Sequence, residues 1–420
     1  MMIIVGSCTK LILLLTAVVA ILQIIHLVLL NHLDSLRFQN KVLIGTKESS
    51  VSPELEIRSL FSQLQSTLKN KHILDSTGVF RIANVERLSS KRTTYSVPTP
   101  DLTLVTQCSF DHIFKLVPLS KRWQGAISVA VFAEEKDIYD ALWKIAHLLS
   151  CYQVFKENIT FSIVSPVPSQ SITPSTIPNI VGDETCNFQK EEHVQNYAFT
   201  QRYPNNLLRN VARRASYSEF VMVIDIDIMP SENLRQDFLL FATQKGLFKK
   251  NHVYDKTAFV VPAFEAKDNV EPPLHKAQLI SLVETGEIRP FYSQICPKCQ
   301  ALTNYEAWLN EPIGAELAPI YDVIWKDPWE PFYIVRNNAP LYDERFKQYG
   351  FNRISQVCEL HVAGYTFFIL NNAFLIHKGF KTLDSFHEDI EKDQNNNRHL
   401  FRQFKAELKF KYIDSSRRCY

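Results

Sequence analysis

The chain has 420 residues, 46% of them hydrophobic, with 46 Lys and Arg against 44 Asp and Glu for a formal charge of +2. That length and apolar content suffice for one large core or two smaller ones, and the near-zero charge excludes a global field for capturing nucleic acid, so no nucleic-acid partner is expected. Eleven glycines against 28 phenylalanines exclude a fibrous or disordered chain.

Residues 11–30 come first as an almost unbroken apolar run, interrupted by Thr16, Gln23 and His26. At 1.5 Å per residue such a run spans about 30 Å, the thickness of a bilayer core. It is long for the apolar part of a signal peptide, and Asn31-His32-Leu33-Asp34 after it is a poor cleavage site, so an uncleaved signal anchor is expected. Lys10 is the one charge before the run, while Asp34 and Arg37 cancel after it. The positive-inside rule then places residues 1–10 in the cytosol and the rest in a lumen. Residues 31–94 read as a polar stem, within which Leu55, Leu60, Leu64 and Leu68 fall at helical spacing.

Near residue 95 the texture changes. Apolar runs at 102–107, 127–132, 160–164 and 220–224 read as strands, and 137–150 and 207–215 as helices. Strands alternating with helices predict a mostly parallel sheet flanked by helices, occupying residues 95–420. Runs without polar alternation suit strands buried on both faces. Residues 165–200, rich in Pro, Ser, Thr and Asn, read as a long loop. Asn158-Ile159-Thr160 is an acceptor motif for N-glycosylation. Of eight cysteines, Cys8 falls on the cytosolic side; the other seven, in an oxidising compartment, predict a few disulfides and a free thiol. Cys296-Pro-Lys-Cys299 has no second CxxC partner, so a local disulfide or two structural cysteines is expected rather than a zinc site or redox pair.

The 220–224 strand runs straight into Asp225-Ile226-Asp227. Ligand sites in open α/β sheets lie at the carboxyl ends of strands. Two carboxylates one residue apart on an extended chain point the same way. Together they could hold one hard divalent cation, Mn²⁺ or Mg²⁺, which would neutralise a diphosphate leaving group. The bland alternative is a strand-end Asp, with Ser231 capping the next helix. Downstream, His377-Lys378-Gly379 closes a second apolar strand: His377 could be a third metal ligand and Lys378 could meet a phosphate, though a lone histidine is more often structural. Arg209 and Asn210, on the helix feeding the Asp225 strand, could face nucleotide or sugar, or serve only as surface partners. Aromatics mixed with carboxylates at 327–333 and 342–352 suit sugar binding, with Phe332, Phe346 and Phe351 better read as core.

The segments 76–78, 203–213, 223–232, 260–265, 286–292, 327–333, 343–364 and 377–380 together carry a specific resemblance. From about residue 70 to the C-terminus the chain resembles glycosyltransferase family 49, the β-1,4-glucuronyltransferases that prime matriglycan. It is similar, less closely, to the glucuronyltransferase half of LARGE-type bifunctional enzymes. The resemblance implies a GT-A fold, an α/β architecture with a Rossmann-like mixed sheet, in a Golgi type II membrane protein. It implies transfer from UDP-glucuronate to a terminal β-xylose in β-1,4 linkage on the O-mannosyl glycan of α-dystroglycan, with extension by a LARGE-type partner. It also implies Mn²⁺ at Asp225 and Asp227. An α-linked donor and a β-linked product mean inversion, which needs one general base on the acceptor hydroxyl. Many inverting relatives supply that base from Gly-Glu-Asp after an aromatic-Gly pair, whereas this chain reads Tyr349-Gly350-Phe351-Asn352-Arg353. Glu330 is the substitute expected here, followed by Asp343 or Glu344. Arg353, Arg289 or Arg209 would bind the donor carboxylate, since a planar fork suits bidentate pairing. Two other readings stay open: another UDP-sugar donor such as UDP-N-acetylglucosamine, or a non-catalytic lumenal scaffold, against which the clustered ligand types argue.

Overall fold

The computed structural model describes residue 23, residues 53–85, 98–167, residue 186, and residues 201–249, 252–382 and 389–420. Apart from residue 23, the expected cytosolic tail and membrane anchor lie outside the described residues, as does the 165–200 loop apart from 165–167 and Cys186. Among the described residues no helix is long and apolar enough to cross a membrane.

In chain order the first half comprises α1 (Pro53–Asn70), β1 (His72–Leu74), β2 (Phe80–Val85), β3 (Thr99–Ser109), α2 (Leu116–Trp123), β4 (Ile127–Phe132), α3 (Ile138–Cys151), α4 (Gln153–Asn158), β5 (Ile159–Pro166), α5 (Asn205–Arg214) and β6 (Ser218–Val223). The second half comprises β7 (Ile228–Pro230), α6 (Leu234–Gln244), β8 (Thr257–Val261), β9 (Ala263–Ala266), α7 (Lys276–Glu284), β10 (Ile288–Pro290), α8 (Tyr305–Asn310), β11 (Pro319–Val323), β12 (Phe332–Arg336), α9 (Asn352–Val362), β13 (Thr366–Leu370), β14 (Leu375–Lys378) and α10 (Ile390–Lys411).

These strands form a ten-stranded sheet in the order β1-β2-β5-β4-β3-β6-β12-β8-β13-β11, and a four-stranded one in the order β10-β9-β14-β7. The expected parallel arrangement holds for β5-β4-β3-β6, whose helical crossovers return each strand in the same sense. The whole sheet is mixed, because β12 enters antiparallel to both β6 and β8. β4 is buried at every position, as its uninterrupted apolar run required.

The body also begins earlier than residue 95. Strand β2 pairs antiparallel with β5 along six residues. Helix α1 buries Leu60, Phe61, Leu64 and Leu68, with the Phe61 ring 5.7 Å from that of Trp143 on α3 in an edge contact. Of the helical spacing read in the stem, Leu60, Leu64 and Leu68 form a packing face with Phe61, each side chain worth about 1.5–3 kcal/mol when fully buried, while Leu55 is exposed. Three disulfides tie the chain, Cys151–Cys186, Cys296–Cys299 and Cys358–Cys419, and among the described residues Cys108 is a free, buried thiol.

Candidate active site

The turn after β6 carries Asp225 and Asp227 at the carboxyl end of the parallel strands. The strand stops at Val223, and Ile228 donates its N–H to the Asp225 carbonyl at 3.0 Å, so the two carboxylates sit on a turn rather than on extended chain. They accordingly face different partners. Asp225 takes a hydrogen bond from Arg209 at 3.0 Å and another from Arg353 at 2.5 Å. Burial pushes this carboxyl up, but the two guanidinium groups outweigh it and hold it below the usual carboxylate range. Asp227 lies 3.0 Å from His377 Nε2 and 3.8 Å from Lys381 Nζ. Burial again opposes ionisation, and His377 and Lys381 overcome it, leaving Asp227 well below its ordinary value.

His377 is aimed by its other nitrogen. Nδ1 lies 2.8 Å from the Gly379 carbonyl. A carbonyl only accepts, so Nδ1 carries a proton and donates it to Gly379, which leaves Nε2 turned to the Asp227 carboxylate. Gly379 has φ +89°, and a Cβ there would stand 2.8 Å from Asp268 Oδ1, so the turn that aims the histidine requires glycine. Among the described residues no three His, Cys, Asp or Glu side chains stand together as a ready metal cage. The Asp227 oxygen and His377 nitrogen nonetheless form a donor pair of the kind a borderline divalent cation takes.

A cleft of about 720 Å³ opens beside Asp225, lined among others by Arg209, Arg353, Glu330, Tyr292, Tyr349 and the Cys296–Cys299 loop. Arg353 comes from the first turn of α9 and lies 3.9 Å over the Phe332 ring, which fixes its plane. Glu330 is held by its backbone: its N–H donates to the Cys299 carbonyl at 2.9 Å, and its carbonyl accepts from Gln300 Nε2 at 3.1 Å. Its carboxyl makes no hydrogen bond among the described residues. Burial pushes it up to about 7, with Arg353 pulling the other way.

Other expected site residues lie elsewhere. Asp343 and Glu344 line a separate cavity, also about 720 Å³, on the other side of α5. There Asp343 pairs with Arg345 at 2.6 Å and Glu344 with Arg214 at 3.1 Å. Asn210 is buried and donates to the Tyr342 carbonyl and to Glu344, each at 2.8 Å, so it holds chain segments together rather than facing the cleft. Arg289 is tied at 2.9 Å to the fully buried Glu265. Lys378 is exposed and 3.6 Å from Glu271. Asn158 ends α4 half-buried, with Thr160 buried in β5.

Two residues escaped the sequence reading. Lys381 reaches Asp227, although nothing in its local pattern separates it from a surface lysine. Glu265 accepts from Arg289 at 3.0 Å, from the Tyr292 N–H at 2.6 Å and from the Lys381 N–H at 3.0 Å. One buried carboxylate thus orders both flanks of the site, and its charge directly after the apolar run 260–264 was the available signal.

Over residues 101–413 the chain matches the sequence family described as "Glycosyl-transferase for dystroglycan". It belongs to that family. It is 40% identical over 371 residues to the mouse (Mus musculus) protein named beta-1,4-glucuronyltransferase 1, covering 85% of this chain and 86% of that one. It is 38% identical over 434 residues to the zebrafish (Danio rerio) protein of the same name, covering 98% of each. The chicken (Gallus gallus) xylosyl- and glucuronyltransferase LARGE2s is 30% identical over 286 residues, 67% of this chain and 32% of that one. Among solved structures, GalNAc-T7 with UDP, GalNAc and Mn²⁺ covers 70% of this chain and 46% of its own at 8% identity, with a TM-score of 0.38, too slight a likeness to carry anything over. This member of the family is a glycosyltransferase.

Proposed function

We propose that this glycosyltransferase moves glucuronic acid from UDP-glucuronate to the 4-hydroxyl of a terminal β-xylose with inversion, priming matriglycan on the O-mannosyl glycan of α-dystroglycan for a LARGE-type enzyme to extend. The observation that carries the reading is one cleft holding Glu330, raised to about 7, beside the Arg209–Asp225–Arg353 cluster. The names of the relatives at 38–40% identity support the sugar and linkage.

In this reading Glu330 takes the proton from the xylose 4-hydroxyl. That oxygen bonds to C1 of glucuronate as the C1–O bond to the diphosphate breaks, and UDP leaves with the bonding pair. Arg353 meets the donor carboxylate: of the three candidate arginines, Arg289 is committed to buried Glu265, and Arg209 is more buried than Arg353. A divalent cation, Mn²⁺ or Mg²⁺, would be held by the Asp227–His377 pair, Asp225, expected as a ligand from the sequence, being taken by Arg209 and Arg353, and would neutralise charge on the diphosphate. The fold is then GT-A, and residues 11–30 anchor it as a type II protein in the Golgi membrane, with Asn158 as a lumenal glycan acceptor.

A donor screen tests this, using the full-length protein in detergent, Mn²⁺ and a β-xyloside. Transfer from UDP-glucuronate alone, abolished by chelator, is expected. Transfer from UDP-N-acetylglucosamine instead would discard the donor assignment.

A further inference from the structure

The ring of Phe291 joins the two ends of the proposed donor site. It lies 5.8 Å from the ring of Phe332, which carries the Arg353 guanidinium, and 6.0 Å from the His377 ring. Tyr292 stacks on it, with centroids 4.2 Å apart and planes 16° from parallel, and lines the same cleft as Arg353 and Glu330. The backbone that presents this ring is unusual. Tyr292 has φ +59°, a left-handed conformation disfavoured for so large a side chain. It is held there from both sides: its N–H donates to the buried Glu265 carboxylate at 2.6 Å, and its carbonyl accepts from the Cys296 N–H at 2.9 Å. A disfavoured conformation maintained in this way at a cleft marks a position that function requires.

The hydroxyl is equally distinct. Tyr305 and Tyr321 give theirs to backbone carbonyls, at 2.7 and 2.6 Å, whereas the Tyr292 hydroxyl makes no hydrogen bond among the described residues. Burial, then Tyr349 and Glu330, push this phenol well above its ordinary value against the pull of Arg353, so it stays a neutral donor. A bound glucuronate has to reach from the diphosphate, assigned to the Asp227 and His377 side, to Arg353, which takes its carboxylate. Phe291 spans those same two points, and Tyr292 lies stacked on it. We propose that Tyr292 is a donor-specificity residue, its hydroxyl donating a hydrogen bond to the glucuronate carboxylate beside Arg353. A phenol bonds an ionised carboxylate more strongly than the hydroxymethyl group of a neutral hexose, so the pair selects a uronate. This rests on the glucuronyltransferase reading above.

Titration calorimetry tests this, with the full-length protein in detergent, Mn²⁺, and UDP-glucuronate, UDP-glucose and UDP as the three ligands. Tyr292→Phe keeps the ring stacked on Phe291 and removes only the hydroxyl, and a thermal melt confirms that the variant is folded. Its Kd for UDP-glucuronate should rise about tenfold, the loss of one charge-assisted hydrogen bond, while the Kd values for UDP-glucose and UDP move less than about twofold. An unchanged Kd for UDP-glucuronate overturns the proposal. So does an equal rise for UDP-glucose, which would give the phenol to another part of the sugar, or for UDP, which would give it to the nucleotide. Wild-type protein that binds UDP-glucose as tightly as UDP-glucuronate overturns the glucuronyltransferase reading and the proposal with it.

Discussion

Asp225 is neutralised twice, by Arg209 and Arg353, while Glu330 a few residues across the cleft is left protonatable near neutrality. Neighbouring carboxylates with pKa values pushed apart have distinct roles open to them. A base must be deprotonated to act, so kcat should rise with pH through about 7. Glu330→Gln should lower kcat by about 10²–10⁴-fold and abolish that rising limb, which pH–rate profiles will show. A limb that survives in the variant assigns it to another group. The stability sign is the reverse of a paired carboxylate's. The raised value of Glu330 favours the folded state while the group is protonated, and that contribution is lost as pH rises through about 7. Arg353→Lys keeps the charge beside Asp225 and loses the fork stacked on Phe332. Its KM for UDP-glucuronate should rise about tenfold with a smaller change in kcat. An unchanged KM would move carboxylate recognition to Arg209.

At the scale of elements, α5 explains why several expected contacts fell elsewhere. The helix reads as polar, with Asn206, Arg209, Asn210 and Arg213, yet all four side chains are buried. Asn206 donates to the carbonyls of Asp343 at 2.9 Å and Asn352 at 3.1 Å. Arg213 donates to those of Pro340, Asn337 and Ala339. The helix therefore stitches residues 337–352 to the sheet, and through that segment it positions α9 and Arg353. Asn210→Ala should cost about 1–3 kcal/mol of stability, read from denaturant unfolding, because Tyr342 N–H and carbonyl lose their partner in a buried setting. A value near zero would reduce α5 to packing alone. Local periodicity recovered the buried strands well: the run 127–132 is the whole of β4, since an apolar run buried on both faces announces itself in sequence. Burial of Asn210 and the diversion of Glu344 were not legible, because a satisfied buried asparagine and a surface asparagine are the same letter, and only its partners, 132 and 134 residues away, tell them apart.

For the whole molecule, the catalytic body begins with α1. A chain starting at residue 71 would leave the seat of Leu60, Phe61, Leu64 and Leu68 on α3 open to water, with Trp143 part of it. That fragment should aggregate or melt lower than one starting at residue 53, by size-exclusion chromatography and thermal melt, and equal behaviour would make α1 dispensable. The sequence by itself determined the α/β class, the β6 strand leading to Asp225 and Asp227, the helical face at Leu60, Leu64 and Leu68 and the apolar strand ending at His377. Each rests on period, composition or short spacing, which are local properties. Tertiary structure alone decided which strands of the mixed sheet run antiparallel, that Asp225 is claimed by arginines from α5 and α9, that Lys381 reaches Asp227 while Lys378 stays exposed, and that Glu330 shares the cleft while Asp343 and Glu344 face another cavity. Those outcomes depend on pairing across more than a hundred residues or on which way a side chain leaves a turn, and neither leaves a periodic trace in the chain.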